Sequence, residues 1–220
     1  MQVKISNDKP AFLGKVTASV THDIQNVLAI IKETSGLMED LFLMHQSGNL
    51  ENIEEKIGTC IKTIKKQTYR GVKLTSGLNG FAHTADTSQG AINIFETLER
   101  MISITERLFK QKGADVSILE CKKACSVDTD PVLFQLIAFA CIECLIDNFD
   151  ARASITLDIQ SLADQTAIQF LYNDDTLTYE DYNQQITHSD QWIKITALCE
   201  QISLSAEVTA DFPGIFLFFK

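Results

Sequence analysis

Residues 12–45 of the chain read FLGKVTASVTHDIQNVLAIIKETSGLMEDLFLMH, and this stretch decides the fold of the first half. Its apolar residues recur at the spacing of one helix face. The members of this stripe are Phe12, Val16, Val20, Ile24, Val27, Ile31, Met38 and Leu41. The pattern predicts a single helix of about nine turns.

A break at Gly48-Asn49 separates this helix from a second apolar stripe. The second stripe consists of Leu50, Ile53, Ile57, Cys60, Ile64, Val72, Leu78 and Phe81. Two long helices joined by a short glycine-containing turn predict an antiparallel hairpin. Because a lone hairpin cannot bury both stripes, we expect two copies to pair through residues 11–82 into a homodimeric four-helix bundle.

The second half has a different pattern. The polar segment 83–90 is typical of a linker, so we divide the chain into domains at 1–84 and 85–220. Periodicity beyond the linker predicts helices near 91–112, 131–147 and 191–202. Strands are predicted near 116–119, 126–127, 155–159, 167–171, 205–209 and 215–219. Residues 173–190 are polar, and we expect them to be irregular. The mixture indicates an α+β fold class, with helices on one face of a sheet.

Composition limits the possible partners. Hydrophobic residues make up 45% and charged residues 22%, as in soluble globular proteins. No apolar run approaches the ~20 residues that span a bilayer, and MQVKISNDKP lacks the apolar core of a signal peptide. We therefore expect a cytoplasmic protein without membrane contact. The net charge of −10 argues against nucleic acid, whose phosphates need a basic surface.

Charge is divided unevenly between the two halves. Residues 1–84 hold ten Lys and Arg against eight Asp and Glu, a balance of +2. Residues 85–220 hold nine against twenty-one, a balance of −12. Such asymmetry indicates two modules with different surfaces. The acidic second half is also a poor attractant for a polyanion such as ATP.

The six cysteines include two closely spaced pairs, Cys141 with Cys144 and Cys121 with Cys125. These spacings are compatible with zinc binding or redox chemistry. However, Cys141 and Cys144 lie within the apolar run LIAFACIECLI, where cysteine behaves as a small buried hydrophobe. We favour buried thiols and expect neither a metal nor a cofactor.

The segment Thr21-His22-Asp23-Ile24-Gln25-Asn26 carries the most distinctive chemistry. At about 100° per residue, His22 lies roughly 200° around the helix from the stripe residue Ile24, so it faces solvent. Asn26 follows one turn later on the same face. The adjacent Asp23 can polarise the imidazole or accept its proton. The alternative is a surface histidine without a role.

This His-Asp-x-x-Asn-x-Leu segment, on a helical hairpin, resembles the phosphoacceptor box of sensor histidine kinases. The resemblance implies that His22 is phosphorylated, that Asp23 assists as a base and that Asn26 positions water for dephosphorylation. Val27 stands where many members of the family have proline. The resemblance also implies a four-helix dimerisation bundle followed by an ATPase-like α/β sandwich.

The second half resembles the kinase ATP-binding domain in the order of its sequence landmarks, but it lacks that domain's glycine-rich loops. Asp130-x-x-Leu133-x-Gln135 is similar to the lead-in of the family's N-box, and Trp192 to Ile202 with Pro213-Gly214 is similar to its final helix and hairpin. By this alignment, Glu143 replaces the metal-binding Asn and Phe139 replaces its upstream polar partner.

Glycine is also absent from the segments that align with the family's phosphate-binding loops. The segment 172–176 takes the position of the Asp-x-Gly-x-Gly box, and 187–191 takes that of the glycine-rich lid. No glycine occurs from Ala114 to Pro213. Because backbone cradling of phosphates needs a close, unhindered approach, we expect that ATP binding has been lost while the fold persists.

A basic stripe on the second helix is a candidate partner-binding surface. Lys62, Lys66, Arg70 and Lys73 recur at spacings of 4, 4 and 3. If the hairpin turns near residue 48, His22 lies level with about residue 74, close to Arg70 and Lys73. Cations there can steady a phosphoryl group or bind the acidic pocket of a receiver domain, and we select Lys66, Arg70 and Lys73. The alternative is a solvated charged face.

The sequence thus predicts a histidine phosphotransferase rather than an ATP-dependent kinase. His22 would relay a phosphoryl group between response-regulator receiver domains, without autokinase activity. Two alternatives remain at this point. One is a pseudokinase scaffold that only dimerises and binds a partner, and the other is a response-regulator phosphatase that uses Asn26 to orient water.

Overall fold

The computed structural model describes residues 8–48, 52–121, 125–149, 154–162, 165–173, 179–209 and 213–219. The first half is a pair of long helices, α1 (Asp8–Gln46) and α2 (Ile53–Ala82). They run antiparallel, since Val27 lies against Gly71 and Phe12 contacts Phe81 with ring centroids 5.6 Å apart. The predicted hairpin is confirmed.

The turn between the two helices begins at Gly48. Its φ of 76° is in the left-handed region that glycine adopts without steric cost. Asn49 belongs to the predicted break, and Leu50 is the first residue of the predicted second stripe. Both lie outside the described residues.

The segment after the hairpin differs from the sequence prediction of a helix at 91–112. Strand β1 (Gly90–Asn93) comes first and pairs antiparallel with β3 (Ser126–Thr129). Helix α3 (Ile94–Gln111) begins only after it. The reason is local: the Asn93 side chain accepts a hydrogen bond from the backbone N–H of Glu96 at 3.2 Å and caps the helix.

A five-stranded sheet forms the rest of the second half, in the order β2-β4-β5-β7-β6. Its strands are β2 (Asp115–Ile118), β4 (Ser154–Leu162), β5 (Gln165–Tyr172), β6 (Leu204–Val208) and β7 (Gly214–Phe219). β2 pairs parallel with β4, and the other pairings are antiparallel. The α+β class predicted from the sequence is confirmed.

Helices α4 (Pro131–Asn148), α5 (Tyr179–Thr187) and α6 (Asp190–Cys199) complete the second half. The prediction that residues 173–190 are irregular is wrong for α5. Tyr182 and Ile186, one turn apart, are both buried, so two apolar anchors hold this polar helix on the core.

Helix α4 is the centre of the hydrophobic core. It is the one helix, among the described residues, that is long and apolar enough to cross a membrane. However, 78% of this helix is buried inside the protein, as expected for a core helix. Cys141 and Cys144 lie on it as buried free thiols.

One core extends across both halves of the chain. Phe12 near the start of α1 contacts Phe139 of α4, with ring centroids 5.3 Å apart. Val16 and Val20 belong to the same buried cluster. Helix α3 also packs against both helices of the hairpin. This packing places residues of the second half beside His22.

Candidate functional site

The His22 side chain projects from α1 and is exposed, as helix geometry predicts. Both ring nitrogens have neighbours within hydrogen-bonding distance. Nδ1 lies 3.1 Å from Nδ2 of Asn26, one turn along α1. Nε2 lies 3.4 Å from Nη2 of Arg107, which comes from α3 in the second half. The imidazole is therefore held on two sides by polar groups.

Asp23 points to a different side of α1 from His22, because consecutive residues are about 100° apart on a helix. Its carboxylate is buried, and Oδ1 lies 3.7 Å from Nε of Arg107. Arg107 thus connects the carboxylate to the ring. That Asp23 acts as a base remains a prediction.

Arg107 is the residue that the sequence analysis missed. The sequence predicts only an apolar helix for residues 91–112, and no motif marks Arg107 within it. Its charged neighbours Glu106 and Lys110 indicate an exposed face. Spacing alone, however, does not say which face of α3 meets the hairpin. Only the packing of α3 on α1 and α2 brings Arg107 to His22.

A cleft of about 610 Å³ opens beside this group, between the hairpin and α3. Four cationic and two acidic side chains line it. The cations are Arg70, Lys73, Arg107 and Lys110, and the acids are Asp23 and Glu106. An excess of cations in a half-open cleft favours an anionic ligand such as a phosphoryl group.

The charge of Lys110 is reinforced by its neighbour on α3. A hydrogen bond and the negative charge of Glu106 raise the pKa of Lys110 above its ordinary value of 10.5. The Nζ–Oε1 distance of this ion pair is 2.5 Å. Lys110 therefore remains a cation throughout the physiological pH range.

The structure brings only part of the basic stripe to the site. Arg70 and Lys73 line the cleft, as the hairpin register predicts. Lys62 and Lys66 are exposed on α2, nearer the tip of the hairpin, and do not line it. The stripe is therefore divided into residues that line the cleft and residues that do not.

The positions aligned with the kinase metal site contact the chain's own first helix. Glu143 pairs with Lys15 of α1 at 2.7 Å and with Lys112 at 3.1 Å. The ammonium of Lys15 also lies 4.8 Å from the ring centroid of Phe139, and Phe12 packs on the same ring. Glu143 and Phe139 are thus occupied by contacts within the protein.

Lys112 adds ion pairs with Glu143 and Asp147 to these contacts. Burial lowers the pKa of Lys112, but hydrogen bonds to Asp147 and Glu143 outweigh burial and raise it above 10.5. In the first turn of α1, Lys9 pairs with Asp130, and Asp8 pairs with Lys194 at 2.7 Å. Ion pairs therefore surround the contact between the first turns of α1 and the second half.

The segment aligned with the glycine-rich lid is a tight connection between two helices. α5 ends at Thr187, and α6 begins at Asp190. The Ser189 hydroxyl accepts a hydrogen bond from the backbone N–H of Trp192 at 3.2 Å and caps α6. The segment 172–176 aligns with the Asp-x-Gly-x-Gly box, and its residues 174–176 lie outside the described residues.

The thiol of Cys144 is poorly suited to metal or redox chemistry. Burial raises its pKa to about 11, and burial also raises the pKa of Cys141 well above 9. Thiolates are the reactive form of cysteine, so a raised pKa makes both groups less reactive.

Solved structures of histidine kinases resemble the fold at low sequence identity. The histidine kinase AdeS of Acinetobacter baumannii superposes with a TM-score of 0.45 and 9% identity, over 85% of this chain and 94% of its own. The histidine kinase ThkA, in complex with the response regulator protein TrrA, has a TM-score of 0.46 and 14% identity, over 98% of this chain and 63% of its own.

The ATP binding domain of PrrB from Mycobacterium tuberculosis superposes with a TM-score of 0.48 and 16% identity, over 61% of this chain and 96% of its own. These are similarities of overall shape, at sequence identities of 9% to 16%. No protein-family profile and no curated protein matches the sequence.

Proposed function

We propose that the protein is a histidine phosphotransferase that relays a phosphoryl group between receiver domains through His22. One observation carries the proposal: the exposed imidazole has its Nε2 beside Arg107, which lines a cationic cleft. In the transfer step, the Nε2 lone pair attacks the phosphorus of a receiver's aspartyl phosphate. The N–P bond forms while the P–O bond breaks, and the carboxylate leaves with the electron pair. The reverse step passes the group to a second receiver.

The charge of the cleft supports a receiver domain as the partner. Receiver domains present an acidic pocket around the phosphorylated aspartate and its metal ion. Arg70 and Lys73 of α2 and Lys110 of α3 offer the opposite charge in the cleft that Arg107 also lines. Such complementarity orients the encounter and speeds association. In this proposal the protein acts in the cytoplasm with its receivers.

We further propose that the second half does not bind ATP. Lys15 and Lys112 neutralise Glu143, at the position where the kinase family binds its metal ion. Phe12 packs on Phe139, at the neighbouring position. The balance of −12 in residues 85–220 also opposes a triphosphate. The phosphoryl group must therefore come from another protein.

The homodimer remains part of the proposal, and the exposed apolar side chains of the hairpin support it. Leu28, Phe42 and Leu43 on α1 are 58%, 53% and 63% exposed. Ile61 and Val72 on α2 are 51% and 57% exposed. Soluble proteins seldom leave so many large apolar side chains on one helical hairpin uncovered. A second copy, paired as a four-helix bundle, would cover them and leave His22 accessible.

A relay assay with two receiver domains tests the proposed function. A first receiver, labelled on its aspartate, is mixed with a second receiver, with or without this protein. We expect label on the second receiver only when the wild-type protein is present, and none with His22→Ala. The matched control is His45→Ala, which removes another exposed histidine of α1. Equal transfer with and without the protein would contradict the relay.

A phosphatase is the second candidate, and the contact between Asn26 and His22 favours it. A side-chain amide on the exposed face beside the histidine can orient a water molecule toward a receiver's phosphate. Asn26→Ala should then lengthen the lifetime of a phosphorylated receiver. A scaffold would change neither lifetime nor transfer.

A further inference from the structure

We infer that Arg107 is a catalytic residue of this site: it fixes the tautomer of His22 and then holds the phosphoryl group on Nε2. The first part rests on the contacts around the ring alone. The second part rests on the proposed function. Arg107 comes from α3, so the inference also gives the second half of the chain a role in the chemistry.

The tautomer follows from the donors around the ring. A guanidinium group can only donate hydrogen bonds, so the contact of Arg107 with Nε2 requires a lone pair on that nitrogen. The proton of the neutral imidazole is then on Nδ1. The Asn26 amide nitrogen lies 3.1 Å from Nδ1, and a half-turn of the amide, which exchanges nitrogen and oxygen, lets the carbonyl oxygen accept this proton.

This tautomer is the one that the transfer needs. The Nε2 lone pair, which faces Arg107, is the nucleophile, and no proton must leave that atom before attack. As the N–P bond forms, the ring acquires positive charge, and its proton remains on Nδ1 beside Asn26. Arg107 then turns from the lone pair to the phosphoryl oxygens, which are stronger acceptors.

Asp23 positions Arg107 for both tasks. Its side chain is 9% exposed and that of Arg107 is 28% exposed, so the pair is partly shielded from water. At 3.7 Å, the carboxylate attracts the guanidinium and limits its movement across the cleft. In this arrangement Asp23 acts through Arg107 rather than on the ring itself.

Nitrogen NMR of the full-length protein, labelled with ¹⁵N-histidine, tests the tautomer without any receiver domain. We expect His22 of the wild type to be mainly protonated on Nδ1 at a pH where the ring is neutral. Arg107→Gln should shift the population toward protonation on Nε2, and Arg107→Lys should shift it less. The matched control is Arg100→Gln, since Arg100 lies on α3 but bonds the Gly80 carbonyl.

A wild-type His22 protonated mainly on Nε2, or a tautomer that does not change in Arg107→Gln, would overturn the inference. If Arg107→Gln fails to fold, Asp23→Asn replaces it. Without the carboxylate the guanidinium is no longer held beside the ring, so we expect a smaller shift of the tautomer population toward protonation on Nε2. The far-ultraviolet circular dichroism of each variant checks folding.

The phosphoryl-binding part is tested with phosphoramidate, a small phosphodonor that loses ammonia when it phosphorylates imidazole. Labelling of His22 should be slower in Arg107→Gln by about tenfold or more, as for the loss of one charged donor at a transition state. Equal labelling of Arg107→Gln and wild type would overturn this part. If the relay itself fails, the wild type will instead react with phosphoramidate but will take label from no receiver domain.

Discussion

At the scale of single residues, the site depends on which side of α1 each side chain occupies. His22 and Asp23 are neighbours in the sequence, yet one is exposed and the other is buried. The buried carboxylate meets Arg107, and Arg107 meets the ring. The acid of the His-Asp pair therefore reaches the imidazole through a third residue.

The first prediction concerns this indirect contact. Asp23→Asn should slow transfer from a phosphorylated receiver to His22 by roughly tenfold, because the neutral amide no longer holds the guanidinium. Rapid-quench measurement of label on the protein checks the rate. Arg107→Gln combined with Asp23→Asn should be no slower than Arg107→Gln alone. Additive losses in the double variant would mean that Asp23 acts on the ring independently.

At the scale of elements, α2 presents a basic stripe of which only one part faces the cleft. We predict that Arg70→Glu or Lys73→Glu weakens receiver binding and slows transfer, because each replaces an attractive charge with a repulsive one. Melting should barely change, since exposed charges contribute only ~0–1 kcal/mol to stability. Titration calorimetry with a receiver gives the affinity.

Lys62→Glu is the matched control for these two variants. It changes the same charge on the same stripe but lies outside the cleft. A loss of affinity in Lys62→Glu as large as in Arg70→Glu would assign the effect to overall charge rather than to the site.

The apolar faces of α1 and α2 give a prediction about assembly. The wild-type chain should have twice the monomer mass of 24.5 kDa in multi-angle light scattering. Leu28→Glu combined with Ile61→Glu should give monomers, because charges buried in a bundle interface lack partners. Ile193→Glu replaces an exposed apolar residue of α6 and should leave the dimer intact. A well-folded monomeric wild type at micromolar concentration would refute the bundle.

The elements also show what sequence reasoning can reach. Long stripes predict α1 and α2 because each helix repeats its pattern over many turns. β1 and α5 were missed, since a short strand and a helix with two buried anchors leave too few repeats to detect. Arg107 was missed for another reason. The face on which α3 meets the hairpin is a property of tertiary packing, which no local pattern contains.

At the scale of the whole molecule, one core joins the hairpin to the sheet domain. The first turns of α1 cover Phe139 and Glu143 on α4, while α3 brings Arg107 to His22. The same packing thus brings α1 onto Phe139 and Glu143 and brings α3 to His22.

The corresponding prediction is that ATP with magnesium does not bind measurably. Titration calorimetry on the full chain should give no heat of binding up to millimolar nucleotide. Lys15→Ala should not restore binding, because the segment from Ala114 to Pro213 still lacks glycine. A micromolar affinity in the wild type would contradict the account of the second half.

The central claim is that His22 accepts the phosphoryl group, and one measurement tests it most directly. Purified protein is incubated with labelled receiver domains from its own cell, and acid-labile phosphate on the protein is mapped by mass spectrometry. We predict label on His22 of the wild type and of His45→Ala, and none on His22→Ala. Label that persists on His22→Ala, or wild type that takes label from no receiver, would contradict the account and favour a scaffold.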